Sequence, residues 1–364
     1  MIYPVILAGG NGTRLWPVST KSAPKQVQAF GANQKTLLQA TYQRLNKKFS
    51  KENIFVVTTE NLKDFVANQV DFSSENLILE PFGKNTSIAI GLAAVHILHR
   101  DPQGVALISS SDAFIAEEDK YLELVEQSAE WISKNVDKFL LFGVKPLYPE
   151  TGYGYIHFQG PALTKIAEHD LFQVQQFKEK PDLATAEKYL ANQEYLWNPA
   201  MFIFSARQLL NWYQKFLPNV FVYLEKLLEA LNQQDLEKYQ EILIEFYQTA
   251  EARSIDYDLL EHLEQMFVLP VELTWADVGH WRAVRDISSH KENQANVSNV
   301  SHVGLESRNN LLYSSSGKVV ATLGVENLIL VETDKVIFLC HADRAQEVKK
   351  LLEIFKEKGL EEYL

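Results

Sequence analysis

The chain has 364 residues, of which 46% are hydrophobic and 23% are charged, and its formal net charge is −12. This composition is typical of a soluble globular protein long enough for more than one domain, and the negative charge argues against a general surface for nucleic acid or anionic membrane. The single cysteine, Cys340, cannot form an intrachain disulfide, and neither a signal peptide nor a span of about 18 apolar residues is recognisable, so we expect a cytoplasmic protein.

The first part of the chain alternates strand patterns with helix patterns. We predict strands at residues 3–7, 54–58, 76–79, 105–108 and 139–144. Helical patterns lie near residues 61–69 and at 85–100, where Asn85 or Thr86 is a candidate N-cap. The alternation predicts an α/β fold, with a mostly parallel sheet that carries helices on both faces.

The pattern of hydrophobic residues changes in the later part of the chain. Leucine and aromatic residues at helical spacing over residues 206–213, 220–231 and 236–247 predict packing faces. Short β-type runs at residues 310–313, 319–322, 328–332 and 336–339, followed by a helical pattern at 345–356, predict a small β-domain. The polar stretch at residues 290–293 marks the expected boundary between a domain of residues 1–290 and one of residues 295–364.

A glycine-rich loop follows the first strand, in a segment that reads VILAGGNGTRLWPVSTKSAPKQ over residues 5–26. Glycine lets backbone N–H groups approach phosphate oxygens closely, and Arg14 and Lys25 add positive charge. The loop matches neither the Walker pattern, since no Gly-Lys-Ser/Thr follows, nor the dinucleotide fingerprint, since position 15 is leucine. We expect a nucleotide here, at the carboxyl end of the first strand, in preference to a tight turn with incidental basic residues.

Three further positions carry candidate chemistry. Asp112 follows a buried strand, where a carboxylate either binds Mg²⁺ or caps the next helix, and the residues alone leave the two readings equal. Asp277 stands beside Gly279 in WADVG, a pattern that is commonly only a turn. Lys180 lies in FKEKP, which is usually a solvated charged loop but also offers a phosphate-binding lysine next to a glutamate.

Segments along nearly the whole chain resemble, in order, those of the sugar-1-phosphate nucleotidyltransferases. The loop LAGGNGTRLWP followed by PKQ is similar to the mannose-1-phosphate guanylyltransferase branch of that family. The further segments that agree are EPFGKNTSIAI, PETGYGYI, FKEKPD, WNPAMFIF, SIDYDLLE and WADVGHW.

The resemblance implies a Rossmann-like core followed by a short left-handed β-helix. It also implies the reaction of GTP with α-D-mannose 1-phosphate to give GDP-mannose and pyrophosphate, with Mg²⁺ as the metal. Longer relatives continue into an isomerase domain, whose activity we expect to be absent here.

The resemblance also implies roles for individual residues. Expected catalytic residues are Arg14, Lys25, Asp112 and Asp277, the two aspartates being the Mg²⁺ ligands. Expected nucleotide-binding residues are Leu7, Ala8, Gly9, Gly10, Gly12, Thr13, Arg14, Lys25, Asn85 and Thr86. Expected sugar-phosphate-binding residues are Gly154, Glu179, Lys180 and Asn198, with Glu179 on the sugar ring and Lys180 on its phosphate.

The chain departs from the family pattern around two of these sites. Relatives usually have histidine after the first aspartate and proline two residues before it, where this chain has Ala113 and Ser110. Near Asn198, Pro199 and Ala200 replace a small residue and a glycine. Two alternatives therefore stay open: the same chemistry with another base or sugar, and a nucleotide-sugar-binding relative with weakened catalysis.

The short strands after residue 294 are too few to bury a core alone, and exposed strand edges favour pairing with a second copy. We therefore expect a homodimer in which the C-terminal segment takes part.

Overall fold

The computed structural model describes residues 1–10, 15–20, 35–288 and 295–364. By compactness the chain forms two units. The first unit comprises residues 1–9, 41–111 and 115–275, and the second comprises residues 10–40, 112–114 and 276–364. The domain boundary expected at residues 290–295 borders residues 289–294, which lie outside the described residues, and it stays a prediction.

Up to residue 144 strands and helices mostly alternate, as the sequence predicts. The strands are β1 (Ile2–Leu7), β2 (Phe55–Thr59), β3 (Leu77–Glu80), β4 (Val105–Ser110), β5 (Ala113–Ile115), β6 (Phe139–Val144), β7 (Gly154–Phe158), β8 (Thr164–Ile166), β9 (His169–Glu179), β10 (Tyr195–Asn198), β11 (Phe202–Ser205), β12 (Met266–Val271) and β13 (Trp275–Asp277). The helices are α1 (Leu37–Asn46), α2 (Lys63–Ala67), α3 (Thr86–Arg100), α4 (Glu118–Lys134), α5 (Leu183–Ala191), α6 (Ala206–Phe216), α7 (Pro218–Asn232) and α8 (Leu236–Thr249).

An 11-stranded sheet forms the centre of the first unit, in the order β10-β7-β9-β12-β6-β11-β4-β1-β2-β3, with β8 paired to β9. Strands β3, β2, β1 and β4 are parallel to one another, as are β12 and β6, whereas β11 runs antiparallel between β4 and β6. At the other end, β9, β7 and β10 pair in antiparallel fashion. The parallel run confirms the predicted α/β class, and the antiparallel strands add a second ladder that the sequence did not indicate.

Helix α3 lies at the centre of the main core, because its residues between Ser87 and Leu98 are almost all buried. Gly91 allows α6 and α7 to approach this helix closely. A Cβ atom at Gly91 would lie 2.8 Å from a methyl group of Leu224 and 2.9 Å from the ring of Tyr213. The apolar faces of α6, α7 and α8 thus pack as predicted. Among the described residues, no helix is long and apolar enough to cross a membrane.

Stacked parallel strands characterise the second unit. Its elements after residue 280 are α9 (Trp281–Ser288), β14 (Val297–Ser298), β15 (His302–Leu305), β16 (Leu311–Ser314), β17 (Val320–Leu323), β18 (Leu328–Glu332), β19 (Ile337–His341) and α10 (Val348–Glu357). Strands β14, β16 and β18 form one parallel ladder and β15 and β17 form another, while β19 closes the first ladder in antiparallel fashion. Parallel strands that alternate between two ladders are the repeat of a β-helix, which confirms the predicted C-terminal fold.

The core of the second unit includes the residues that follow the glycine-rich loop. Leu15 and Trp16 are buried in one cluster with Trp281, Ile329 and Phe338. The indole N–H of Trp16 donates to the carbonyl oxygen of Tyr363 over 2.7 Å, and that of Trp281 donates to the carbonyl oxygen of Trp16 over 2.8 Å. The chain just after the loop is therefore anchored by residues at both ends of the C-terminal region.

Candidate active site

The carboxyl end of β1 leads into the glycine-rich loop. The chain stays in register with β2 one residue beyond β1, because Ala8 donates its N–H to Val57 O over 2.8 Å and accepts from Thr58 Oγ1 over 3.0 Å. Leu7 and Ala8 are therefore fixed by the sheet, and Gly9 and Gly10 begin the loop. The expected residues Gly12, Thr13, Arg14 and Lys25 lie outside the described residues.

A buried carboxyl group lies beside the start of this loop, and sequence reasoning gave it no role. Glu80 ends β3, and a Cβ atom at Gly9 would lie 3.5 Å from its Oε2. Tyr247 donates its hydroxyl to Glu80 Oε1 over 2.9 Å. Burial raises the pKa of Glu80 to about 7, although the hydrogen bonds from Tyr247 and from the backbone of Lys84 each act to lower it. A lone glutamate closing an apolar strand was the only signal for it.

Asn85 and Thr86 begin α3. Asn85 is exposed, has a φ of 68°, and accepts from the N–H of Thr86 through its own Oδ1 over 2.8 Å. Of the two candidates for the N-cap of α3, Asn85 is therefore the one that caps the helix. Thr86 Oγ1 accepts from the N–H of Ile255 over 3.0 Å, and Ser87 donates its N–H to Arg253 O over 3.3 Å. The start of α3 is thereby tied to the turn at residues 253–258.

Three of the expected sugar-phosphate residues form a row across neighbouring strands. Strand pairing places Gly154 of β7 opposite Glu179 of β9 on one side and opposite Asn198 of β10 on the other. A Cβ atom at Gly154 would lie 2.6 Å from Glu179 Oε2 and 2.9 Å from the ring of Phe177. A larger residue there would have to displace the Glu179 carboxylate and the Phe177 ring. We call the space over the Gly154 backbone, between Glu179 and Asn198, the Gly154 hollow.

Lys180 follows the row directly. Its φ is 45°, a left-handed conformation, and its N–H donates to Tyr153 O over 3.2 Å. Its Nζ forms an ion pair with Glu179 Oε1, while 54% of its side chain is exposed and the Glu179 side chain is buried. The lysine therefore offers an exposed positive charge at the rim of the hollow.

The amide of Asn198 is held from two sides. Its Nδ2 donates to Asp256 Oδ1 over 3.1 Å, and its Oδ1 accepts from the N–H of Ala200 over 3.0 Å. Ala200 has a φ of 54°, in the left-handed region that favours glycine. The departure at Ala200 therefore keeps the loop conformation that a glycine would adopt, with the Asn198 bond intact.

Asp256 is the second residue at this site that sequence reasoning left without a role, although it stands in the quoted segment SIDYDLLE. It begins a short π-helical turn, Asp256–Leu260, and stays partly exposed while Ile255 and Leu259 are buried. Burial of the carboxyl and the nearby Glu179 raise the pKa of Asp256 to about 7. A carboxylate between apolar neighbours was the available signal.

Aromatic rings stand next to the row. Trp197 precedes Asn198, and its ring centroid lies 4.9 Å from that of Tyr148 and 5.4 Å from that of Tyr153. Tyr153 in turn lies 5.2 Å from Trp275. These edge-to-face contacts fix the backbone on either side of Gly154 and make one wall of the site rigid.

Asp112 and Asp277 belong to adjacent backbone segments. Strand β5 pairs with β13, and the N–H of Val278 donates to the carbonyl oxygen of Asp112 over 3.1 Å. Asp112 is 6% exposed, and a Cβ atom at Gly279 would lie 2.9 Å from Asp277 Oδ2, so a residue other than glycine would require that carboxylate to move. The neighbouring His280 accepts from the N–H of Ala283 through Nδ1 over 3.3 Å, at the start of α9.

This donor set is suited to Mg²⁺. In the described part of the chain, no group of three or more His, Cys, Asp or Glu side chains is placed to hold a metal ion. Mg²⁺ commonly takes only one or two protein carboxylates and completes its shell with phosphate oxygens and water. Two hard carboxylates on adjacent segments, one of them given room by a glycine, agree with that requirement.

Comparison with known proteins gives two family matches. Residues 3–294 match the model of the nucleotidyl transferase family, and residues 300–354 match the model described as MannoseP isomerase/GMP-like beta-helix domain. Two curated relatives named mannose-1-phosphate guanylyltransferase are similar along the whole chain. The protein of Escherichia coli K12 is 35% identical over 367 residues, covering 100% of this chain and 75% of the relative. That of Klebsiella pneumoniae is 36% identical over 368 residues, covering 100% and 76%.

A solved structure agrees with the fold of nearly the whole chain. It is the crystal structure of a Thermus thermophilus protein titled mannose-1-phosphate geranyltransferase, which matches with a TM-score of 0.82 and 26% sequence identity. The match covers 98% of this chain and 99% of that one. The arrangement of elements described above is thus shared with a solved protein.

Proposed function

Because this chain belongs to the nucleotidyltransferase family, we propose that it transfers the guanylyl group of GTP to α-D-mannose 1-phosphate, releasing pyrophosphate and forming GDP-mannose. The observation that carries the proposal is the hollow at Gly154, bordered by Glu179, Asn198 and the exposed charge of Lys180. A carboxylate and an amide are suited to sugar hydroxyls, and a lysine to a phosphate. The names of the full-length relatives favour guanine and mannose over other bases and sugars.

In this reaction an oxygen of the sugar phosphate attacks the α-phosphorus of GTP as the bond to the leaving pyrophosphate breaks. The protein mainly positions the reactants and offsets charge. We assign Glu179 and Asn198 to the sugar hydroxyls and Lys180 to the sugar's phosphate. Lys180 is already held next to the hollow by its ion pair with Glu179, so a short movement of its exposed side chain exchanges one anionic partner for another.

On the nucleotide side we assign the backbone of residues 7–10 and the residues Asn85 and Thr86 to GTP. Arg14 and Lys25 supply positive charge for the triphosphate, an assignment supported by their positions in the sequence motif. Asp112 and Asp277 hold Mg²⁺, which when bound offsets the negative charge of the phosphates under attack.

The test is a pyrophosphate-release assay with the purified protein, four nucleoside triphosphates and a panel of sugar 1-phosphates that includes those of mannose, glucose and galactose. GTP with mannose 1-phosphate should give the highest kcat/KM. Another preferred pair would move the activity to a different base or sugar within the same chemistry. Nucleotide-sugar binding without turnover of any pair would instead identify a binding protein that has lost catalysis.

We further propose a cytoplasmic homodimer that uses the second unit. Support for the dimer comes from an aliphatic surface on the paired strands β15 and β17, where Val303, Leu305 and Leu323 are 68%, 63% and 70% exposed. Such a surface, on a short ladder with open edges, is typical of a protein interface. Support for the location comes from the single cysteine of the sequence.

A further inference from the structure

We propose that Asp256 is a sugar-binding residue that determines which sugar 1-phosphate is accepted. The proposal rests on the proposed function and deepens it. The motif resemblance gave Asp256 no role, and the structure places its carboxyl group beside Asn198.

The first step is position. Asp256 Oδ1 accepts from Asn198 Nδ2 over 3.1 Å, so its carboxyl lies directly beside the amide that borders the Gly154 hollow. Asp256 remains partly exposed, whereas the residues on either side of the hollow, Glu179 and Asn198, are 7% and 9% exposed. A ligand that reaches Asn198 therefore also meets Asp256.

The second step is rigidity. The N–H of Ile255 is bound to Thr86 Oγ1, and the N–H of Glu261 donates to Asp256 O over 3.0 Å. The backbone of Asp256 is thus fixed by the start of α3 on one side and by its own π-helical turn on the other. A carboxyl held in this way favours one orientation of a sugar hydroxyl over another, because it cannot move to form a hydrogen bond with a hydroxyl that points in a different direction.

The third step is charge. Two carboxyl groups, Glu179 and Asp256, share this region with one lysine, Lys180, whose Nζ is paired with Glu179. Polar and titratable side chains of three elements face the turn: Thr86 and Ser87 of α3, Tyr213 of α6, and Glu179 of β9 with Lys180 after it. The turn itself contributes Ser254 and the ion pair Arg253–Asp258. Burial of the Asp256 carboxyl and the nearby Glu179 raise the pKa of Asp256 to about 7, so Asp256 keeps its proton at pH 6.

The fourth step is chemistry. A sugar hydroxyl both donates and accepts hydrogen bonds, whereas an ionised carboxylate only accepts. Glu179, which is paired with Lys180 Nζ, accepts from one hydroxyl, and the protonated Asp256 donates to another. Mannose and glucose differ in the direction of a single hydroxyl, so a fixed donor at Asp256 distinguishes them. Above about pH 7 Asp256 is ionised, the donor is lost, and binding of the sugar weakens.

The test compares two substitutions in the full-length protein. Asp256→Ala removes the group and should raise KM for mannose 1-phosphate by about ten- to a hundredfold, the effect of one hydrogen bond to a charged or buried partner, with KM for GTP changed less than about twofold. It should also bring the kcat/KM values for mannose 1-phosphate and glucose 1-phosphate closer together. Asp256→Asn keeps a donor that does not titrate, so at pH 6 it should restore KM to within a few-fold of the wild type.

The pH profile provides the decisive readout. The wild-type KM for mannose 1-phosphate should rise between pH 6 and 8.5, and the KM of Asp256→Asn should rise less. The ionisation of the substrates is common to both proteins and cancels in the ratio of the two profiles. Glu261→Gln, at an exposed position of the same turn, is the matched control and should behave as the wild type does.

Equal increases in KM for GTP and for the sugar phosphate, or an Asn variant with the wild-type pH profile, would show that Asp256 is a structural residue. If Asp256→Ala does not fold, its thermal transition will reveal this. The Asn variant, assayed with the 2-deoxy sugar 1-phosphate that lacks the hydroxyl by which mannose and glucose differ, then still tests whether Asp256 binds the sugar. A wild-type protein that prefers another sugar 1-phosphate would overturn the proposed substrate only. The same comparison would then be made with the preferred sugar and its epimer.

Discussion

The hydroxyl group of Tyr247 donates a hydrogen bond to Oε1 of Glu80 over 2.9 Å, and both side chains are buried although 167 positions separate them in the chain. The bond fixes the carboxyl at the end of β3 beside Gly9, where the glycine-rich loop begins. It also leaves a titratable group in a place that water scarcely reaches, which has a measurable consequence.

We predict that Glu80→Gln removes a pH dependence of stability. The pKa of Glu80 is raised from 4.5 to about 7 in the folded protein, so the folded state keeps a proton that the unfolded state has lost. The free energy of unfolding should therefore fall as the pH rises from about 4.5 to 7, by at most about 3 kcal/mol from this group. Denaturant unfolding at pH 5 and pH 8 should show a smaller difference in Glu80→Gln than in the wild type.

Tyr247→Phe is the companion variant. It removes a bond that stabilises the ionised carboxylate, so the loss of stability between pH 5 and pH 8 should become larger. An unchanged pH dependence in both variants would show that Glu80 titrates normally.

Ala200 should tolerate glycine and reject a branched side chain. The φ of Ala200 is 54°, a conformation that costs an L-residue about 1 kcal/mol or more. Glycine avoids this cost, but its greater conformational freedom in the unfolded state offsets part of the gain. We expect Ala200→Gly to change stability by 0 to about +1 kcal/mol and to leave KM for the sugar phosphate unchanged. Ala200→Val should lower stability and raise that KM, and a destabilised glycine variant would contradict the argument.

Gly154→Ala should damage the sugar site with little effect on GTP. The added Cβ would come within 2.6 Å of Glu179 Oε2, so the carboxylate must move out of the hollow. We expect KM for mannose 1-phosphate to rise at least about tenfold, as for the loss of one charge-assisted bond. Gly83→Ala is the control, because its Cβ would meet Thr59 Cγ2 at an ordinary 3.8 Å. A Gly154→Ala enzyme with normal kinetics would place the sugar elsewhere.

Asp112→Asn and Asp277→Asn should each lose most of the Mg²⁺-dependent turnover, by about 10²-fold or more, with little change in thermal stability. The measurement is initial rate against Mg²⁺ concentration. Gly279→Ala should weaken the apparent affinity for Mg²⁺ in the same assay, because its Cβ would lie 2.9 Å from Asp277 Oδ2. Near-normal turnover of either asparagine variant at saturating Mg²⁺ would make that aspartate a turn residue.

Replacing exposed leucines of β15 and β17 with lysine should dissociate the proposed dimer. Leu305→Lys with Leu323→Lys places charge where two adjacent strands expose aliphatic side chains. Light scattering should then report a monomer, whereas Leu147→Lys, 78% exposed in the first unit, should leave the dimer intact. A wild-type protein that is monomeric at micromolar concentration would refute the dimer itself.

Local periodicity was sufficient to predict most individual elements of the parallel sheet and of the α-helical region. Strand β6 begins and ends at the predicted residues, and the predicted helix at 85–100 begins one residue later because Asn85 is its cap. The antiparallel strands β7 to β10 were not predicted, since their pairing depends on contacts distant in the chain.

The candidate site shows the same limit. Motif resemblance selected Gly154, Glu179 and Asn198, and strand register brings these three together. Asp256 and Glu80 were missed because their partners, Asn198 and Tyr247, lie far away in the sequence. No local pattern reveals that a carboxyl group will be buried beside a particular amide or hydroxyl.

The bond from Trp16 to Tyr363 connects two residues that lie 347 positions apart in the sequence. Ribosomal synthesis proceeds from the N-terminus, so the segment after the glycine-rich loop is made long before its anchor exists. All strands of the 11-stranded sheet are synthesised before the residue that accepts the Trp16 bond. The segment that follows the glycine-rich loop can therefore form this bond only after residue 363 has been synthesised, and a chain stopped before that residue would lack it.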